Sequence, residues 1–301
     1  MLSWTIGAVK VTRIVELEMP VPYSTSRPFL VEATPEALRE HAWLFPDFVT
    51  VEGHLRFSIH ALLVEAPGIR LVVDTCVGND RPRGLTGGVA LATGFLKSFA
   101  DAGWTREGVD AVVCTHLHVD HVGWNTMLVD GAWVPTFPKA RYLIGRAEYE
   151  HWRAEEGEAR QILADSVQPI FDAGLAELVD MDHQISPELR LVPTPGHTPG
   201  HVSVAIESAG ERALITGDFT HHPCQMAHPE WSPVFDVDPQ AAAVLRRRMF
   251  ADIADQPVLV IGTHFAAPTA GHVKRDGDAF RFEVEATSVP GPPPGAMFAR
   301  P

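Results

Sequence analysis

No stretch of this sequence approaches 18 consecutive apolar residues, so no membrane-spanning helix is expected. Cysteine is scarce. Cys76, Cys114 and Cys224 are the only three and lie far apart, too few and too scattered for a disulfide framework. Basic charge is in deficit as well: 24 Lys and Arg face 38 Asp and Glu, a formal net charge of −14. Neutralising a polyanion takes clustered cations, so nucleic acid is not an expected partner. The one basic run, Arg246 to Arg248 within "DPQAAAVLRRRMFADIAD", reads as a solvated helix face. The first twenty residues, "MLSWTIGAVKVTRIVELEMP", alternate like a strand and lack the basic start, apolar centre and cleavage site of an export signal. A cytoplasmic location is therefore expected, with Cys114 in "AVVCT" as a small buried apolar residue.

At 301 residues and 46% hydrophobic composition, the chain has ample material for a globular core. Short β-rich runs alternate with helical stretches. "RFSIHALLVEA" and "IRLVVDTCVGN" form a hairpin signal around Pro67-Gly68. "VALATGFLKSFADAG" spaces Leu91, Phe95, Leu96 and Phe99 as a helix ending at Gly103. "VDAVVCT", "ARYLIG", "ELRLVPT", "HVSVAIES", "RALITGD" and "PVLVIGTHF" read as strands, with helices in "RAEYEHWRAEEG", "EARQILADSVQPIFDAG" and from about Asp238 to Asp255. Hairpins mixed with helices in both halves fit two mixed sheets packed face to face with helices outside. About residues 20–54, rich in proline and aromatics, read as an insertion, and 288–301 as an extended Pro/Gly-rich tail.

The chemistry is concentrated in "CTHLHVDHVG", Cys114 to Gly123, where His116, His118, Asp120 and His121 follow an apolar run. A solvated polar loop would predict nothing elsewhere, whereas a metal site needs further ligands on other strand ends. They are present: His197 follows "ELRLVPTPG", Asp218 ends "RALITGD" and His264 ends "PVLVIGTH". Imidazole and carboxylate suit Zn²⁺, and the lack of cysteine ligands argues against a closed structural site.

The set of H-x-H-x-D-H, a lone histidine after a Pro-Gly turn, Gly-Asp and a late histidine resembles the metallo-β-lactamase superfamily, from the hairpin ending in "VVDT" through "GTHF". The resemblance implies an α/β fold, an αββα sandwich of two mixed β-sheets flanked by helices, as one hydrolase domain over 1–287. It implies two divalent metal ions, zinc first, with iron, manganese or cobalt able to take the same ligands. His116, His118 and His197 would hold one ion, Asp120, His121 and His264 the other, and Asp218 would bridge them together with a hydroxide. Asp74 in "VVDT" would steady the metal loop without binding metal, and His201 matches a structural position of the family's Gly-His turn. His41, His54, His60, His151, His183 and His272 belong to no such pattern and read as ordinary surface or core residues.

Two metals in a cleft bring bound water to a pKa of about 7 and polarise a carbonyl or phosphoryl oxygen. Asp120, close to both, would also pass a proton to the leaving group. In the lactone-hydrolysing branch a tyrosine commonly stands three residues after the bridging aspartate. Here that offset holds His221, which can donate the same hydrogen bond and is the second catalytic candidate. Trp43, Leu44, Phe45, Phe48, Phe219, Met226 and Trp231 are candidates for an apolar pocket, or for packing of the insertion. The sequence is most similar in pattern to quorum-quenching N-acyl homoserine lactonases and methyl-parathion-hydrolase-type enzymes. The expected function is opening of lactones or cleavage of related esters by the metal-bridging hydroxide. The expected partners are a small neutral ester or lactone and a second copy of the chain, with no membrane. The alternatives are an organophosphate triesterase or a β-lactamase, then a glyoxalase-II-like thioesterase. A flavodiiron-like redox role would require glutamate at the place of His118 and a flavin domain.

Overall fold

The computed structural model describes residues 1–26 and 28–284, so the 288–301 tail lies outside the described residues. A first sheet takes β1 (Ser3–Ile6), β2 (Val9–Val21), β3 (Leu55–Ala66), β4 (Ile69–Val73) and β5 (Ala111–Cys114). A small hairpin, β6 (Thr126–Val129) and β7 (Ala132–Pro135), stands apart, and β8 (Arg141–Gly145) and β9 (Ala176–Val179) complete the first sheet in the order β1-β2-β3-β4-β5-β8-β9. The second sheet runs in sequence order through β10 (Leu189–Pro193), β11 (Val202–Ser208), β12 (Glu211–Ile215), β13 (Val258–Ile261), β14 (Ala270–Asp276) and β15 (Ala279–Glu283). Both sheets are mixed. β4, β5, β8 and β9 are parallel neighbours, as are β12 and β13, while the hairpins are antiparallel.

Period-2 alternation explains how the layers form. Leu71 and Val73 of β4, Ala111 and Val113 of β5, and Ala213 and Ile215 of β12 join the core between the sheets. Their neighbours Val72 and Val112 pack outward under the helices of the first sheet, and Leu214 under those of the second. The outer layers are α1 (Pro35–Arg39), α2 (Phe95–Asp101), α3 (Arg146–Ala154), α4 (Glu158–Ile162), α5 (Gln168–Asp172), α6 (Cys224–Ala227) and α7 (Pro239–Ile253). This is the expected αββα sandwich. No helix among the described residues is long and apolar enough to cross a membrane.

The hairpin around Pro67-Gly68 is present, with Ala66 opposite Ile69. Helix α2 is shorter than expected: it begins at Phe95, and Leu91 stays outside it while packing on the same core. Gly94 supplies its N-cap with no side-chain oxygen to extend the turn backward. The stretch expected to be helical from Glu158 is broken into α4, a π-turn over Leu163–Val167 and α5, whose second residue is Pro169. Proline lacks the amide that a continuous helix would use there.

Residues 20–54 contribute α1 and a short 3₁₀ turn at Ala42–Leu44. Leu44 and Phe48 are fully buried and join Phe219, Met226, Trp231 and Phe265 in the core outside the second sheet, with Trp43 and Phe45 packed against it. The seven aromatic and aliphatic pocket candidates are therefore packing residues. Their apolar area is removed from water where residues 20–54 pack against the segment from Phe219 to Trp231.

Candidate metal centre

Parallel strands end on the same edge, and the candidate ligands sit just past those ends: Asp74 after β4, His116 to His121 after β5, Asp218 after β12 and His264 after β13. His197 arrives from the loop after β10, where Val237 and Asp238 donate their amides to the carbonyls of His197 and Gly196. The turn carrying Asp218 requires glycine before it. Gly217 has a φ of +56°, and a Cβ there would meet His201 Nε2 at 2.6 Å. Gly123, at the end of the opening motif, has its amide on the Cys76 carbonyl at 2.7 Å, and a Cβ would lie 1.8 Å from Val77 O.

Three ring nitrogens converge on one side. His116 Nε2 and His118 Nδ1 are 2.8 Å apart, His197 Nε2 and His118 Nδ1 2.8 Å, and His197 Nε2 and His116 Nε2 3.2 Å. On the other side His121 Nε2 and His264 Nε2 are 3.2 Å apart. Asp120 faces both, with carboxylate oxygens 3.6 Å from each. Asp218 Oδ2 stands between the two groups, 3.2 Å from His121, 3.1 Å from His264, 3.7 Å from His116 and 3.6 Å from His197. The expected ligands thus fall into one cluster, with ligand atoms of each subset within 4.8 Å of one another.

Outward-facing partners fix which ring nitrogens carry lone pairs. His121 Nδ1 donates to Asp74 Oδ2 at 2.9 Å, His264 Nδ1 to the Ser58 carbonyl at 3.0 Å and His197 Nδ1 to Asp236 Oδ1 at 2.8 Å. Thr115 spends its hydroxyl proton on Asp74, so His116 Nδ1 donates to Thr115 Oγ1 at 3.1 Å. With each Nδ1 protonated, the Nε2 of all four rings is a lone pair aimed inward. Lone pairs facing one another at about 3 Å around a carboxylate, with Asp218 Oδ1 buried and unpartnered, are a donor set suited to a divalent cation.

Electrostatics follow from burial and these carboxylates. Burial pushes His116, His118 and His197 well below the ordinary imidazole value. Burial opposes charge on His121 too, but Asp218, Asp74 and Asp120 outweigh it and raise its pKa well above the usual value. His264 is raised in the same way by Asp218 and Asp120. Burial works against an ionised Asp218, yet His121, His264, His221 and His116 hold it well below the usual carboxylate range. Asp74 takes a left-handed φ of 58°, strain for a non-glycine residue that places its carboxylate on Thr115 and His121. His201 is held by Thr194, accepts the Asp218 amide at 2.7 Å, and is pushed by burial down to about 4. It braces the Asp218 turn, as expected.

His221 lies inside the cluster. Its Nε2 is 3.1 Å from Asp218 Oδ2, its ring is parallel to that of His264 at 5.8 Å, and neither ring nitrogen has a hydrogen-bond partner. Gln225 anchors its backbone amide at 2.7 Å. Of the remaining histidines, His41 and His228 contact each other through Nε2 at 2.8 Å, and His60 is buried on Ser58.

Sequence reasoning missed several residues that build the site, Asp236 on His197 among them. Glu148 is buried and accepts hydrogen bonds from Leu117 N, Trp152 Nε1, Thr198 Oγ1 and Gly200 N, tying the His116–His118 loop to the His197 loop. Phe29 and Phe235 stand edge-on to His221 at 5.6 and 5.5 Å, and Phe235 also faces His118 and His197. Arg246 is fully buried, which corrects the reading of its cluster as a solvated face; Arg247 and Arg248 are exposed as expected. A carboxylate one helical turn from a tryptophan, Glu148 and Trp152, was the sole local signal.

The metallo-beta-lactamase superfamily model matches residues 55–264. An N-acyl homoserine lactonase of a Bacillus species is 33% identical over 106 residues, covering 35% of this chain and 36% of that protein. The match thus spans about a third of that curated relative's length. A metallo-beta-lactamase fold-containing protein of Sulfurisphaera tokodaii is 30% identical over 178 residues, covering 54% of this chain and 60% of its own. Two solved structures share the architecture. AidC, a dizinc quorum-quenching lactonase, superposes with a TM-score of 0.76 at 19% identity, covering 95% of this chain and 97% of its own. The hydrolase AbOPH superposes with a TM-score of 0.75 at 22% identity, covering 93% and 95%. The chain, on its fold and on the match over Leu55 to His264, belongs to the metallo-beta-lactamase superfamily.

Proposed function

We propose that the protein is a metal-dependent hydrolase that opens neutral lactones or cleaves related esters. The observation that carries this reading is the pair of converging nitrogen groups with the buried Asp218 carboxylate between them. His116, His118 and His197 would hold one divalent ion, and Asp120, His121 and His264 the other, with Asp218 shared. Zinc is the proposed metal for this cysteine-free set. When bound, such ions supply Lewis acidity and a hydroxide nucleophile near neutral pH.

The chain's own residues do the rest. Asp74, Thr115, Ser58 and Asp236 take the outward ring N–H groups, so each neutral ring turns its lone pair inward. Asp120 is the more exposed of the two acidic groups in the cluster, its side chain 18% exposed against 4% for Asp218. It is therefore placed to take a proton and release it to a departing alkoxide. His221, with both ring nitrogens unpartnered, has an N–H available for the substrate's carbonyl or leaving-group oxygen. Phe29 and Phe235 give the mouth an apolar lining, which suits an acyl or aryl appendage. The net charge of −14 disfavours strongly anionic substrates at a distance. The match to lactonases supports the lactone over other acyl compounds.

The test is turnover of the metal-loaded protein across N-acyl lactones, aryl esters, phosphotriesters, β-lactams and glutathione thioesters. Acyl lactones should lead, with aryl esters weaker. Efficient turnover of β-lactams or thioesters with no lactone cleaved would overturn the substrate assignment and leave the metal centre standing.

A further inference from the structure

The loop from Pro229 to Asp238 connects the end of α6 to α7 and meets the metal centre twice. Phe235, 41% exposed and flanked by exposed Val234 and Val237, turns its ring toward His118, His197 and His221 at 6.2, 5.7 and 5.5 Å. The next residue points the other way. The Asp236 side chain is completely buried, with Oδ1 2.8 Å from His197 Nδ1 and Oδ2 3.4 Å from the Arg246 guanidinium. Backbone contacts repeat the attachment: Val237 donates to the His197 carbonyl at 3.0 Å and Val234 to that of Phe29 at 3.3 Å.

This support differs in kind from that of the other ligands. The ring of His121 is held by Asp74 at the end of β4, and that of His264 by a carbonyl of β3. Those partners belong to the sheets. His197 is held, ring and backbone together, by a loop that also turns Phe235 toward the ligand rings. A carboxylate on the outer nitrogen of an imidazole fixes its tautomer and increases its basicity toward a metal.

We infer that Asp236 is a positioning residue for His197, setting the metal affinity of the His116–His118–His197 group from within the loop that turns Phe235 toward the metal centre. The inference rests on the metal assignment proposed above. Asp236→Asn keeps the side chain's shape but removes the negative charge that His197 faces. It should weaken one ion and spare the other.

The experiment titrates the wild-type chain, Asp236→Asn, Asp236→Glu and Asp74→Asn with Co²⁺, following the visible absorption bands and competition with a chromophoric chelator. Wild type should bind two ions. Asp236→Asn should hold one as tightly as wild type and the other roughly 10- to 100-fold more weakly, with an altered absorption envelope. Asp236→Glu should recover part of the loss, and Asp74→Asn should weaken the opposite ion. A folded Asp236→Asn chain with unchanged affinities and spectrum overturns the inference. A second measurement needs no metal: the proton spectrum of the wild-type chain should contain a slowly exchanging, far-downfield ring N–H signal that is lost in His197→Asn while the dispersed amide signals of a folded chain remain. Loss of no such signal overturns the inference. Failure of wild type to bind any metal would instead overturn the proposed function, and the ring-proton signal would still decide the role of Asp236.

Discussion

Replacing Arg246 by methionine is a severe test of the packing around the metal centre. Its Nε donates to the Phe219 carbonyl at 2.8 Å, and Nη1 donates to those of Pro229 and Trp231 at 2.7 and 2.8 Å. Its Nη2 faces Asp236 at 3.4 Å. Methionine fills similar space but donates nothing, so the Phe219 and Pro229 carbonyls lose their donor, that of Trp231 keeps only Gln225, and Asp236 loses its cation while keeping His197. Each orphaned buried group costs about 1–3 kcal/mol, and breaking a buried ion pair costs about 3–5 kcal/mol. Taking the lower end of each range for the two orphaned carbonyls and the ion pair, since the loop carbonyls can recruit water, gives a loss of about 5 kcal/mol. A folded domain has only about 5–15 kcal/mol to lose. Lysine keeps the charge but cannot fork to three carbonyls, and should lose roughly half as much. Arg248→Ala, on the exposed side of the same helix, should stay within about 0.5 kcal/mol of wild type. Urea unfolding, compared at constant slope, reads all three. An Arg246→Met midpoint equal to that of Arg248→Ala would refute the reasoning.

His221→Phe should leave metal content unchanged and lower kcat/KM roughly 10- to 1000-fold, the range for losing one polarising hydrogen bond or a proton donor; unchanged kinetics on several good substrates would reduce His221 to a loop brace. Gly123→Ala should displace the metal loop, because the added Cβ would sit 1.8 Å from the Val77 carbonyl oxygen; a melting temperature and metal content equal to wild type would contradict this. Neighbouring carboxylates raise His121 and His264 and so favour protonated rings, which cannot ligate a cation, whereas burial favours the neutral forms of His116, His118 and His197. Cation uptake at pH 7 should therefore release protons, and affinity should rise with pH through and above the ordinary imidazole value. Titration calorimetry in two buffers of different ionisation heat measures the release, and equal heats in both would count against it.

Legibility in the sequence followed the range of the interactions. The strand ends carrying His116, His197, Asp218 and His264 were readable because period-2 apolar runs stop just before them. The shortened α2 was not, because Leu91 keeps its apolar contact without being helical. Arg246 looked like its neighbours Arg247 and Arg248, and only the loop folded over it distinguishes them. Asp236 and Glu148 were invisible for the same reason: their partners are 39 and up to 52 residues away in the chain. The aromatics of residues 20–54 suggested a pocket by composition, yet Leu44 and Phe48 are core, and the rings standing against His221 are those of Phe29 and Phe235. Composition reports that apolar area exists, not which side of that segment keeps it from water.

The most direct measurement of the central claim is metal content taken together with lactone turnover on one preparation, before chelation, after verified metal removal and after restoration. The account predicts two divalent ions per chain, acyl-lactone hydrolysis that falls with their removal, and recovery when zinc is returned. Full hydrolysis by a chain shown to be free of metal would contradict it.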